Sequence, residues 1–122
     1  MSPINFDNLL SDYPDYGEVW VVLKRWFVQN RKKRFVETAI LASSVSGVTP
    51  LDLVNALLLM QQSHMVHVSL RVKSPDGVLL DGDFDTIQDV PEELPDRFGS
   101  HKVRTGEGDV VTGVKWDTVH GA

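Results

Sequence analysis

The chain has 122 residues, 42% of them hydrophobic and 24% charged, with a net charge of −5 and no cysteine. That length fits one domain with its own core, and the absent cysteine excludes disulfides, thiolate metal sites and cysteine nucleophiles. No run approaches the roughly 18 consecutive apolar residues of a membrane span, and the acidic start lacks the basic-then-apolar signature of a leader, so a cytoplasmic protein without a membrane partner is expected.

Residues 1–15 carry Pro3 and Pro14 and read as an irregular lead-in, with Leu9 and Leu10 as its anchor. From Tyr16 to about Gln29 the pattern turns helical. Tyr16, Trp20, Leu23 and Phe27 share a face, with Val19 and Trp26 beside them. The polar segment 30–34 interrupts it. A second helix is predicted over 34–44, with Phe35, Ala39, Leu41 and Ala42 turned inward, ending in the turn-rich 43–47. Thr49-Pro50 then reads as an N-cap followed by a first helical residue, and a third helix runs from Leu51 to about Gln62.

After that helix the period becomes alternating. Val66, Val68, Leu70 and Val72 point one way, and Met65, His67, Ser69, Arg71 and Lys73 the other. Ser74-Pro75-Asp76-Gly77 has tight-turn chemistry, and Val78–Leu80 returns as the second strand of a hairpin. An acidic connection occupies 81–97. Residues 98–122 are expected to form a C-terminal hairpin packed on the same domain, its arms 101–105 and 110–118 flanking Gly106-Glu107-Gly108, with Val114 and Trp116 inward.

Charge is unevenly placed. Segment 74–96 holds eight acids and no Lys or Arg, so the remainder of the chain is net positive. Half of the twelve basic residues fall in one window: Lys24, Arg25, Arg31, Lys32, Lys33 and Arg34.

Leu41-Ala42, Gly47-Val48-Thr49-Pro50, Leu53, Ala56-Leu57, Met60 and Met65-Val66 stand in an order that resembles the winged helix-turn-helix superfamily. The likeness spans about residues 34–80, with the first helix matching by position alone. It implies an α+β fold: a three-helix winged-helix-like domain over 16–80 with a β-hairpin wing, here carrying a C-terminal β-hairpin extension. There are two departures. Four residues separate Ala42 from Gly47 where three are usual, and His64 stands where a glycine commonly ends the third helix.

In DNA-binding members of such a family the third helix enters the major groove with a polar or basic outer face. Here, at about 100° per residue, Leu53, Ala56, Leu57 and Met60 make the core face. The opposite arc holds Leu51, Val54, Asn55, Leu58, Leu59 and Gln62, four of the six large and apolar, and Asp52 is the helix's one charge. Such a face lacks the cations, and largely the donors, that phosphates and base edges require. Either residues 98–122 cover it or another chain does. Leu51, Val54, Leu58 and Leu59 are therefore the expected partner interface, self-association being its simplest form. Nucleic acid or an acidic protein would instead meet Lys24, Arg25 and Arg31–Arg34, with Arg71 and Lys73 on the wing. A basic cluster at a helix C-terminus also serves the helix dipole.

Enzymatic chemistry finds little foothold. His64 and His67 straddle a helix end and need not converge, the serines lack His/Asp neighbours at an informative spacing, and the loop at Thr105–Asp109 carries two acids and no lysine. Asp81, Asp83, Asp85, Asp89 and Glu92 fall at positions 1, 3, 5, 9 and 12 of a calcium-type loop, yet Thr86 occupies the place of its turn glycine and Pro91 obstructs the helix that should follow. The sequence thus points to a non-catalytic module without cofactor or metal. It acts as an adaptor or homodimer through protein–protein contact, with a DNA-binding transcriptional regulator as the alternative.

Overall fold

A computed structural model describes residues 1–96 and 101–121. These form an α+β protein with four helices and small sheets: α1 (Phe6–Asp12), α2 (Gly17–Gln29), β1 (Phe35–Glu37), α3 (Thr38–Ser44), α4 (Pro50–Gln62), β2 (His67–Lys73), β3 (Glu93–Pro95), β4 (Lys102–Arg104) and β5 (Asp109–Lys115). Strands β1, β5 and β2 make one sheet in that order, and β3 and β4 make a second. The chain divides into two compact units. The first comprises 1–68 and 114–122 and the second 69–113, so each boundary falls within a strand, β2 or β5. Among the described residues no helix is long and apolar enough to cross a membrane.

The first unit is built on α2, whose Val19, Trp20, Leu23, Trp26 and Phe27 recur at helical spacing and are all buried. Trp116 enters the same core. Its ring lies 4.9 Å from Phe27 and 6.0 Å from Trp26 in edge-on arrangements, the geometry that aromatic quadrupoles favour. Each large side chain removed from water here contributes about 1.5–3 kcal/mol.

Residues 1–15 are not an irregular lead-in. The Asn5 side chain accepts the Asn8 N–H at 3.1 Å and starts α1, which buries Phe6 and Leu9 and leaves Leu10 exposed. Ile4, fully buried, pairs in parallel with Val119: its N–H donates to Thr118 and its carbonyl accepts from His120. The second predicted helix also starts later than expected. Phe35–Glu37 is extended as β1, where Arg34 accepts the Trp116 N–H at 3.1 Å, and α3 begins only at Thr38. Val36 and Glu37 are the buried residues there, whereas Phe35 is half-buried and Ala39 exposed.

Helix α4 begins as expected, with the Thr49 hydroxyl accepting the Asp52 N–H at 3.1 Å. It buries Leu53, Ala56, Leu57 and Met60. At its far end His64 takes a left-handed conformation, φ 60°, which helix C-termini usually give to glycine.

In the second unit the turn at Ser74–Gly77 closes as predicted, with Gly77 at φ 84° and Ser74 exchanging two backbone hydrogen bonds, with Val78 and Gly77. The return segment pairs with β2 through isolated bridges, Lys73 with Leu79 and Leu70 with Phe84, rather than as a continuous strand. A small core of Val72, Leu80 and Leu94 is flanked by Phe84, Val90 and Val103.

The predicted C-terminal hairpin does not form. β4 pairs antiparallel with β3, Leu94 opposite Val103, while β5 joins β1 and β2. A 3-10 turn at Thr105–Glu107 separates them, held by the Thr105 hydroxyl on the Pro91 carbonyl at 2.6 Å. Val114 and Trp116 are buried as expected. Residues 98–100 and 122 of that expected extension lie outside the described residues.

Candidate functional site

Helix α4 presents two apolar faces and buries one. Leu51, Val54 and Leu58 are 70%, 44% and 46% exposed, so nothing among the described residues covers them. They fall within an arc of about 60° and a rise of about 10 Å, one strip over two turns. Leu59, expected beside them, sits at the edge of the buried arc and packs on the core, so the strip is narrower than the sequence implied.

Beside the first turn of α4 the first unit has a surface hollow of about 600 Å³, which none of the three strip residues lines. Its charged lining residues are all acidic: Asp15 from the 3-10 turn Pro14–Tyr16, Glu18 from the first turn of α2 and Asp52 from the first turn of α4. None of the three makes an ion pair among the described residues. Sequence reading isolates Asp52 alone; folding brings Asp15 and Glu18 to it from the other side of α3. The one prior sign was that Glu18 and Asp52 follow helix starts, where carboxylates complement the dipole.

The basic cluster lies at the other end of α2. Arg31 donates to the Val28 carbonyl at 3.2 Å, and Arg34 to the carbonyls of Arg31 and Lys33 at 2.8 and 2.9 Å. Arg31 thus satisfies a carbonyl of the last turn of α2, and Arg34 two carbonyls of the turn that follows it. Lys24, Arg25, Lys32 and Lys33 are exposed and make no ion pair among the described residues. Arg71 and Lys73, the expected wing contacts, belong to the second unit and are half-buried, and Arg71 donates to the Leu80 carbonyl at 2.9 Å. Arg71 is thus engaged within its own unit.

The acidic loop takes a shape unlike a calcium loop. Thr86 is extended at φ −134° and ψ 161°, where a calcium loop needs its sharp turn. Phe84 is tied to Leu70 by two backbone hydrogen bonds of 2.7 and 2.8 Å, and Asp89 accepts the Thr86 hydroxyl at 2.9 Å. Asp81, Asp83, Asp85, Asp89 and Glu92 are all exposed, and no group of three metal-ligating side chains converges among the described residues. His64, exposed beyond α4, and His67, at the start of β2, form no such group either.

Compared with family models, curated proteins and solved structures, the chain matches none.

Proposed function

We propose that this chain is a non-catalytic, winged-helix-like binding module that works through protein–protein contact on the outward face of α4. The observation that carries the reading is the strip Leu51, Val54 and Leu58, exposed on a helix whose other face is fully buried. The winged-helix part draws support from the order of elements: α2, β1, α3, α4 and then β2 with its turned hairpin. Direct groove reading by α4 fits poorly. Its one charge is acidic, and its exposed groups offer no cation to a phosphate.

Magnitudes bound what the contact must be. Fully burying a leucine or valine contributes about 1.5–3 kcal/mol. Association costs about 4–15 kcal/mol in lost freedom. Three half-exposed side chains therefore anchor a contact without completing it, and the partner must also cover the flanks of the strip. Light scattering of wild type and Leu58→Glu, together with capture on immobilised protein, tests the reading. A mass or a retained partner that the substitution removes supports it. Monomers in both cases, with nothing retained by wild type over the variant, overturns it.

A second reading rests on Lys24, Arg25, Lys32 and Lys33, four exposed cations without an ion pair among the described residues. A DNA-binding regulator would contact phosphates through them. Its affinity must fall linearly with the logarithm of salt, with a slope of about 0.9 per phosphate neutralised.

A further inference from the structure

We propose that the step from Asp81 to Gly82 is a modification site, at which Asp81 isomerises to isoaspartate through a cyclic imide with water as the one co-reactant. The sequence contains two Asp-Gly steps, Asp76-Gly77 and Asp81-Gly82. Both lie in the second unit, and all four residues are exposed. As dipeptides they are equivalent. The fold separates them.

The nitrogen of Gly77 is engaged. Its N–H donates to the Ser74 carbonyl at 2.8 Å, and the same turn is closed by the Ser74 N–H on the Val78 carbonyl at 2.8 Å and the Val78 N–H on the Ser74 hydroxyl at 3.2 Å. The N–H of Gly82 makes no hydrogen bond among the described residues, and the Asp81 carboxyl makes neither a hydrogen bond nor an ion pair there. Gly82 also holds φ 103°, which favours glycine, and an added Cβ would come within 3.0 Å of the Phe84 ring. The fold thus requires glycine at 82, and so leaves the nitrogen beside the Asp81 carboxyl without a side chain to shield it.

In the first step the Gly82 nitrogen attacks the side-chain carboxyl carbon of Asp81. A C–N bond forms and a C–O bond breaks, and the carboxyl hydroxyl leaves as water with the amide proton. Water then adds back to one of the two imide carbonyls. Opening at the side-chain carbonyl restores aspartate. Opening at the main-chain carbonyl leaves the backbone running through the β-carbon, with the former main-chain carboxyl as a free carboxylate. Mass and charge are unchanged, but the backbone is longer by one carbon, about 1.5 Å.

That extra carbon falls in a closely tied segment. The Leu80 N–H donates to the Val72 carbonyl at 2.8 Å, and Phe84 exchanges two backbone hydrogen bonds with Leu70 at 2.7 and 2.8 Å. Asp81, Gly82 and Asp83 alone join the two anchors. Leu80 is 1% exposed in the small core with Val72 and Leu94. Isomerisation therefore loosens the second unit where Leu80 enters that core.

The test holds the full chain in warm, mildly acidic buffer, folded or unfolded by guanidinium, and samples it over time. A protease that cleaves before aspartate but not before isoaspartate, read by mass spectrometry, reports residues 76 and 81 separately. In the unfolded chain both steps should convert at similar rates, which sets the time course. In the folded chain residue 81 is expected to convert about threefold faster than residue 76, or more, because the step at 76 must first open a backbone hydrogen bond. Amide exchange at Leu80 and Phe84 should quicken in aged wild type and not in Asp81→Glu aged beside it, since glutamate closes the larger ring far more slowly.

Equal rates at the two residues in the folded chain, or a faster rate at 76, overturn the proposal. So does a folded chain whose residue 81 stays intact while the unfolded chain converts, because the native loop then keeps carboxyl and nitrogen apart. Exchange unchanged in aged wild type, or quickened as much in Asp81→Glu, overturns the loosening.

Discussion

The backbone N–H of Met65 reaches back to the carbonyl of Met60 at 3.0 Å, and that of His64 to Gln61 at the same distance. Together they close α4 in a Schellman motif, with Met60 and Met65 both buried as its accompanying apolar pair. The motif needs a left-handed residue, and His64 supplies it at φ 60°. Its carbonyl then accepts the Ser2 N–H at 2.8 Å, so the helix end also holds the chain's N-terminus.

A left-handed conformation costs a residue with a Cβ about 1–2 kcal/mol, while glycine in the unfolded chain gives back about 0.5–1 kcal/mol of entropy. His64→Gly is therefore expected to stabilise the protein by up to about 1 kcal/mol. His64→Ile, β-branched at positive φ, should destabilise it by about 1–2 kcal/mol or more. Chemical denaturation of the three proteins checks the order Gly, His, Ile; isoleucine at or above histidine would show that residue 64 does not hold the left-handed turn.

Gly108 and Gly106 make a second comparison. A Cβ at Gly108 would overlap the carbonyl oxygen of Lys73, a backbone atom that cannot swing aside, whereas a Cβ at Gly106 meets nothing within 4 Å. Gly108→Ala must push β5 and β2 apart at that point, at a cost of about 1–3 kcal/mol. Gly106→Ala should change stability by less than about 0.5 kcal/mol. Hydrogen exchange of the Ser69–Lys73 amides provides the local readout: faster in the first variant, unchanged in the second.

What the sequence disclosed follows the range of the interactions concerned. α2 and α4 were legible because thirteen residues each give several turns of apolar repeat, and Thr49-Pro50 marks the start of α4 locally. β1 was not: three residues cannot distinguish a period of 2 from one of 3.6, and Phe35–Glu37 runs directly into the helical Thr38–Ser44. α1 is only seven residues long, and what anchors the segment is the bridge from Ile4 to Val119, far along the chain. The same limit applies to β4 and β5. Each reads as a strand, yet an alternating pattern does not name its partner, and the two lie in different sheets. Of the candidate surface, the strip on α4 could be read from periodicity, apart from Leu59. The acid-lined hollow could not, because it joins residues of three elements.

The extended Thr86 has a consequence for metal binding. Without a turn at that point the carboxylates of Asp81, Asp83, Asp85, Asp89 and Glu92 do not converge on one ion. Calcium at millimolar concentration should leave the melting temperature unchanged within error. A site of 10 µM affinity at a hundredfold excess would add about 2.7 kcal/mol, which a thermal scan resolves easily. A shift of several degrees would require the loop to rearrange around Thr86.

The basic cluster divides into residues that hold the fold and residues that are available. Arg31 reaches the Val28 carbonyl in the last turn of α2, and Arg34 spans the carbonyls of Arg31 and Lys33 in the turn that follows. Lys32 and Lys33 make no ion pair among the described residues. Arg34→Ala is expected to cost about 0.5–1.5 kcal/mol through the lost hydrogen bonds. The pair Lys32→Ala, Lys33→Ala should change stability by less than about 0.5 kcal/mol. DNA titrated at several salt concentrations separates stability from contact. If the cluster binds phosphate, the lysine pair lowers the salt slope by up to about 1.8 without moving the melting curve. If its role is to finish α2, the arginine variant moves the melting curve, and neither variant changes a slope that is near zero from the start.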